Sequence, residues 1–192
     1  MLARRYNSVL MAGQIGSGKS ASTDALAAKT GWEKLSIGDM VKAQWPGEQS
    51  GISLDRFCSE FPDEKRLSLM DIARDRARNG NVVIDERFPA GYPDSVLKVL
   101  LYASPEVRLE RIRSRPQYAG LTDAEIMRSM ELRDEDVLRL GLQVFGIDYR
   151  SPKHYYVSIR TDRISTEEIV GMLSGPLQLK WIAGAMETTT AK

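Results

Sequence analysis

Cysteine and histidine are nearly absent: the 192 residues include one of each, Cys58 and His154. A lone cysteine closes no internal disulfide, and the pair cannot supply a four-ligand zinc site. Neither residue has a nucleophile–base partner constellation that would suggest catalysis. An excess of charge of one sign is also missing. Against 27 basic residues stand 26 acidic ones, a formal net charge of +1, so composition offers no argument for binding nucleic acid or a membrane surface. No apolar run approaches the roughly 20 residues of a membrane span. Residues 1–7 contain no apolar core of a secretory signal. These absences predict a cytoplasmic protein whose positive sites, if any, are local.

What is present is ordinary for a soluble globular chain, with 42% hydrophobic and 28% charged residues, and the length suits one compact domain. Short apolar runs at 8–12, 34–37, 82–84 and 96–102, with an alternating stretch at 155–159, predict five strands. Helical segments separate them: 21–29, 40–45, 53–60, 63–78 and 105–115. Two more are announced by capping boxes, Thr122 with Glu125 and Ser165 with Glu168. Strands alternating with helices predict an α/β fold with right-handed crossovers and a mostly parallel sheet. The domain is expected to span residues 1–175. Residues 176–192 form a C-terminal extension, with a docked helix over Leu177–Ala185 and a disordered end from Thr188 to Lys192.

The first strand runs into Gly13-Gln-Ile-Gly16-Ser17-Gly18-Lys19-Ser20, which meets the pattern G-x-x-x-x-G-K-[ST] in full. Glycines let the backbone curl so that successive N–H groups point at phosphate oxygens. Gly13, Gly16, Ser17, Gly18, Lys19, Ser20 and Ala21 are therefore the expected cradle of a nucleoside triphosphate. Lys19 would neutralise the β and γ phosphates, Ser20 would ligate Mg²⁺, and the following helix would add its positive end. A chance match is expected about once in a hundred chains of this length, and the strand-before, helix-after context makes chance rarer still.

The motif alone does not separate GTPases, motors and small-molecule kinases. No guanine-reading NKxD sequence is present, and arginines recur late in the chain: Arg108, Arg111, Arg113, Arg115, Arg128, Arg133 and Arg139. A transferring phosphoryl group needs cationic clamps and a lid that excludes water. Residues 111–122, with Pro116 and Gly120, are the expected lid. The alternative is a solvated face, since Glu106, Glu110, Glu131 and Asp134 are interleaved as ion-pair partners.

The order of further pieces is more specific. After the phosphate loop come Ser36-x-Gly38-Asp39, then Gly80-Asn81-Val82-Val83-Ile84-Asp85-Glu86-Arg87. Arg108-Leu109-Glu110-Arg111-Ile112-x-x-Arg115 follows, then Arg133-Asp134-Glu135 to Arg139 and Phe145-Gly146-Ile147-Asp148. From about Ser8 to Ser174 the chain resembles the short, archaeal-type cytidylate kinases among the P-loop nucleoside-monophosphate kinases. That resemblance implies a P-loop fold of three layers, αβα, around a five-stranded parallel sheet, with ATP as donor, Mg²⁺, and transfer to a pyrimidine monophosphate such as CMP or dCMP. It implies Arg87 as a clamp on the acceptor phosphate and Arg111, Arg115 and Arg133 as lid or lid-flanking clamps. Helices at about 39–79 would hold the acceptor. Lys42 stands where family members often carry arginine, Glu86 replaces a glycine, and the paired aspartates before the third strand are not reproduced around Asp63 and Asp71.

Two acceptor classes follow from these residues. For a monophosphate, Arg87, Lys42 and one of Arg74 or Arg76 would bind the acceptor, with Asp85 assisting Ser20 at the metal. For an alcohol of a modified nucleoside or small metabolite, Asp39 would accept the proton, with Asp85 second; Asp39 could instead simply cap the helix that begins at Met40. A nucleotide-binding regulator without turnover is the third class, disfavoured by the intact Lys19, Ser20 and lid arginines. The protein is expected to act as a monomer or homodimer.

Overall fold

The computed structural model describes residues 6–52 and 54–174. Five strands make one parallel sheet: β1 (Ser8–Ala12), β2 (Glu33–Ser36), β3 (Val82–Asp85), β4 (Val96–Tyr102) and β5 (Val157–Arg160), in the order β2-β3-β1-β4-β5. Parallel strands covered on both faces read as unbroken apolar runs. In β1 all five residues are buried, and the pleat divides them. Leu10 and Ala12 pack with Met70, Ala73, Val137 and Leu140 on one face, while Val9 and Met11 pack with Leu26, Ile169 and Leu173 on the other.

Those partners belong to the helices of the two outer layers. On the first face lie α4 (Asp63–Arg78) and α6 (Asp123–Phe145). On the second lie α1 (Lys19–Thr30) and a last helix over 166–174, α7. Shorter helices are α2 (Ile37–Lys42), α3 (Leu54–Ser59) and α5 (Pro105–Ile112). Both capping boxes form. Thr122 and Glu125 bond reciprocally at the start of α6, and the Ser165 N–H reaches Glu168 at 2.8 Å while the Glu168 N–H reaches the Ser165 hydroxyl at 3.2 Å.

Three boundaries differ from expectation for local reasons. Ile37 leaves the second strand because the Ser36 hydroxyl accepts the Asp39 N–H at 3.1 Å and starts α2 there. Asp39 is therefore the third residue of that helix, and the capping role considered for it belongs to Ser36. The fifth strand begins at Val157, because the Tyr155 hydroxyl is drawn to the Tyr149 carbonyl at 2.6 Å. Helix α5 ends at Ile112, and a 3-10 turn over Pro116–Tyr118 follows, tethered by Tyr118 buried among Ile15, Ile112, Ile126 and Met130. The expected C-terminal helix and disordered end lie outside the described residues. Among the described residues no helix is long and apolar enough to cross a membrane.

Because the sheet order reverses at β1, chain leaving β1 goes to β2 and β3 on one side and to β4 and β5 on the other. The crevice at the carboxyl ends of β1 and β3 is where ligands of such sheets bind.

Candidate functional site

The turn after β1 is shaped by close approach. Gly13 has φ +141°, and a Cβ there would stand 2.0 Å from the Leu101 carbonyl oxygen. Gly18, at φ 96°, is the left-handed residue from which α1 starts, so the first N–H groups of that helix open toward the crevice unpaired. Gly16 and Ser17 complete the loop, and the buried Ser17 hydroxyl has no partner among the described residues. Lys19 bends back to donate to the Gln14 carbonyl at 3.3 Å.

A cavity of about 630 Å³ opens over this loop. Sheet order sets its layout. Beyond β5 it is walled by Thr161, Ile164, Ser165 and Ile169, in the middle by Lys19, Ser20, Asp85, Arg115 and Arg133, and beyond β2 and β3 by Ile37, Asp39, Lys42, Arg66, Glu86 and Arg87. The expected phosphate loop, Asp39, Lys42, Asp85, Arg87, Arg111, Arg115 and Arg133 thus converge on one space. Gly13 stands behind the loop, and Ala21 is in the cavity wall.

Burial strips water from Lys19 and, against the pull of Asp85, lowers its ammonium pKa to about 8; Arg87 and Arg115 push the same way, and Asp134 opposes them. Ser20 donates to Asp85 at 2.6 Å. A hydroxyl and a carboxylate this close offer two hard oxygen donors, the kind of ligand Mg²⁺ takes, so the residues present fit that ion. Arg111 donates to Thr161 at 2.9 Å and to the Gly16 carbonyl at 3.3 Å, beside Gly18. Arg133 reaches the Tyr118 hydroxyl at 3.3 Å. Arg115 makes no side-chain hydrogen bond or salt bridge among the described residues and stands exposed at the cavity mouth.

On the side of β2 and β3 the structure corrects one expectation. Arg74 is taken by the Ala90 carbonyl and Asp71 and lies over the Tyr92 and Phe145 rings, while Arg76 is taken by Glu33 and the Gly80 carbonyl. Neither lines the cavity. Arg66 does. It shares a helical stripe with the buried Met70, Ala73 and Ala77 of α4, a spacing of four, seven and eleven residues that was readable in the sequence. Burial and then the charge of Arg87 lower its pKa, and its Nε has no partner among the described residues. Arg66 does give one Nη2 donor to the Cys58 carbonyl at 3.0 Å, whereas Arg87 makes no side-chain hydrogen bond or salt bridge among the described residues. Two guanidinium groups therefore face the cavity with donors to spare.

Asp39 is otherwise engaged. Lys42 holds it at 2.9 Å and Lys34 at 3.5 Å. Partial burial works to raise its pKa, but the bonds and charges of Lys42, Ser36 and Lys34 outweigh it and hold the carboxyl below its usual range. Glu86 shows the opposite balance. Burial raises its pKa even though the Arg87 and Phe88 N–H groups bond it.

The remaining late arginines behave as the solvated-face alternative described. Arg113 pairs with Glu110 and Asp123, Arg128 with Glu131, and Arg139 with Asp136 and Asp63. Arg108 is the exception, since its partner Asp134 is buried with it. One Asp134 oxygen accepts from Arg108 and from Gln14 of the phosphate loop, both at 2.7 Å, and the other accepts from Tyr149 at 3.3 Å. Asp134→Ala would strand the Arg108 charge away from water. It is expected to cost about 3–5 kcal/mol, measured as a lower urea midpoint at unchanged m-value.

Comparison with known proteins adds the lineage. The AAA domain family matches residues 9–133. The chain belongs to that family. Among relatives, it is 25% identical to a cytidylate kinase of Thermoplasma volcanium over 84% of this chain and 86% of that protein. It is 26% identical to the cytidylate kinase of Methanopyrus kandleri over 88% and 92% respectively. In fold it is similar to a shikimate kinase from Bacteroides thetaiotaomicron, with a TM-score of 0.56 and 19% identity, covering 89% of this chain and 98% of that one. This AAA-domain protein is a phosphotransferase of the P-loop kinase type, and its resemblance to archaeal cytidylate kinases holds over most of its length.

Proposed function

We propose that the chain transfers the γ-phosphoryl group of ATP, with Mg²⁺, to a nucleoside monophosphate, CMP or dCMP first among the candidates. The observation that carries this reading is the pair Arg66 and Arg87. Both line the cavity on the β2–β3 side of Lys19. Arg87 makes no side-chain hydrogen bond among the described residues, and Arg66 keeps donors beyond the one it gives to the Cys58 carbonyl, an arrangement that wastes stability unless an anion completes it. A monophosphate is such an anion and needs no general base. The cytidylate kinases among its relatives support the choice of nucleotide.

In this reading the triphosphate lies along residues 13–20, with its nucleoside toward Thr161 and Ile164. Lys19 follows the β and γ phosphates, and Mg²⁺, held by Ser20 and Asp85, would offset their charge. Arg87 and Arg66 hold the acceptor phosphate in line with the γ-phosphorus. Residues 111–122 act as the lid, from which Arg115, with Arg111 and Arg133 at its base, meets the charge that develops on the transferring oxygens. Lys42, paired with Asp39, borders the acceptor. An alcohol acceptor would ask Asp39 to take a proton, and its two lysine partners weaken it for that task.

The test is ADP formation from ATP and Mg²⁺ over a panel of monophosphates, nucleosides and metabolite alcohols. Turnover confined to monophosphates is expected. Turnover of an alcohol that is lost in Asp39→Asn would refute the reading.

The lowered pKa of Lys19 gives a pH signature. A polyanion favours the charged ammonium, so ATP affinity is complete below about pH 8, where free Lys19 is protonated. Above that value binding must take up a proton, and Kd is expected to rise toward tenfold per pH unit. Titration between pH 7 and 9.5 measures this; a flat Kd would contradict it.

A further inference from the structure

Glu86 follows Asp85 at the end of β3 and is 4% exposed. Its Oε1 accepts two backbone N–H groups, from Arg87 at 2.6 Å and Phe88 at 3.2 Å. Its Oε2 is buried and has no partner among the described residues. The residue nevertheless lines the cavity, beside Arg87 and Phe88 and on the same side as Arg66. Phosphoryl transfer as derived above leaves it without a task.

A carboxylate oxygen shut away from water without a donor is costly to keep. The nearby hydroxyl that could most simply relieve it is that of Tyr92, which is itself buried and unpartnered; Tyr155 is occupied by the Tyr149 carbonyl. The surrounding wall of Ile37, Val41, Phe88, Val137 and Leu140 is apolar, a surface suited to a flat ring or a sugar. Fixed by two amides, the side chain is held in place at the cavity wall, and its one acceptor without a partner among the described residues is the buried Oε2.

We propose that Glu86 is a specificity-determining residue for the acceptor, its Oε2 taking a hydrogen bond from a single neutral donor on the part of the nucleotide beyond the phosphate. This rests on the monophosphate reading and deepens it. With Oε1 spent on backbone, the residue cannot meet the two parallel N–H donors of guanine. One donor fits: the exocyclic amino group of a cytosine-type base edge, or a sugar hydroxyl. The two sources share one chemistry and differ in which acceptor analogue removes it.

The test compares the wild type with Glu86→Gln on CMP, UMP, dCMP and GMP. Glutamine keeps an oxygen for the two backbone N–H groups and presents an NH₂ in place of Oε2. In the wild type, removing the donor from the acceptor is expected to raise the acceptor KM roughly tenfold to a hundredfold. If the base amino group is read, UMP shows that loss; if the sugar is read, dCMP does. Glu86→Gln is expected to raise KM for the preferred acceptor by a similar factor and to erase the preference along that one arm, with KM for ATP unchanged. Glu86→Asp keeps the charge but withdraws the oxygen by one methylene. It is expected to give the same collapse, and it replaces the glutamine variant if that one melts early.

A uniform fall on all acceptors, no change, or a parallel rise in KM for ATP would overturn the proposal. The first two are what a merely structural link to Tyr92 would produce. If the wild type turns over alcohols and no monophosphate, the nucleotide reading fails and this proposal with it; if monophosphates react but the variants discriminate as before, this proposal alone fails.

Discussion

Lys19→Met is expected to lower kcat for ADP formation by about three orders of magnitude, roughly 4 kcal/mol of transition-state stabilisation, and to make the protein more stable. The first half follows from position, since Lys19 stands at the phosphate loop itself, while Lys42, which also lines the cavity, lies on the β2–β3 side paired with Asp39. The second follows from burial. The ammonium is held at a pKa of about 8 against an ordinary 10.5. A base whose pKa is lower in the folded state is destabilised there when charged. The penalty is complete below about pH 8, fades as pH rises toward 10.5, and is on the order of 3 kcal/mol. Methionine fills the same space without charge, so the melting temperature at pH 7 should rise by several degrees. Calorimetry and a coupled assay on the same sample check both halves. Near-normal turnover would refute the phosphate-loop assignment, and a lower melting temperature would refute the electrostatic account.

Arg87→Ala is expected to lower kcat/KM for the monophosphate by about a hundredfold to a thousandfold, with KM for ATP within a factor of two. The guanidinium makes no hydrogen bond or salt bridge among the described residues, so its removal breaks no internal bond. It also relieves Arg66, whose pKa is pressed down by burial and then by Arg87. Unfolding by urea should therefore show no loss of stability. Arg87→Lys, lacking the planar fork that grips two oxygens, should recover only part of the rate. Arg74→Ala makes the contrast, since that residue is tied to Ala90 and Asp71 and should affect stability rather than acceptor binding. An unchanged acceptor KM in Arg87→Ala would sink the clamp.

The loop at 13–20 was legible because its signals are local. Glycine spacing at 13–20 encodes a turn with positive φ, and strands buried on both faces write themselves as runs such as Val82-Val83-Ile84. The β2–β3 side of the cavity was less legible because it depends on convergence. Arg66 sits in a segment, Asp63-Glu64-Lys65-Arg66, that looks like solvated surface; only its phase relative to Met70 and Ala73 places it inward. Arg74 and Arg76 are only two residues apart, yet α4 sends both to backbone carbonyls and carboxylates away from the cavity. Asp39 was visible as an acidic residue at a strand end. That two lysines would hold it required knowing where Lys34 of β2 and Lys42 of α2 meet. Gln14 and Asp134 are 120 residues apart, and nothing local in either segment announces their bond.

That bond is made by a helix with little freedom to drift. Along one stripe of α6, Met130 packs with Tyr118, Arg133 enters the cavity, and Asp134 grips the phosphate loop. Val137 and Leu140 form both core and cavity wall, and a Cβ on Gly141 would come within 2.8 Å of the Phe88 ring. Any mutation that turns the helix about its axis must disturb all of these at once. Side chains of the cavity wall carried on α2, on α4 and in the turn around Glu86 are therefore freer to be exchanged than those of α6, which stays as the fixed wall against which they are tried.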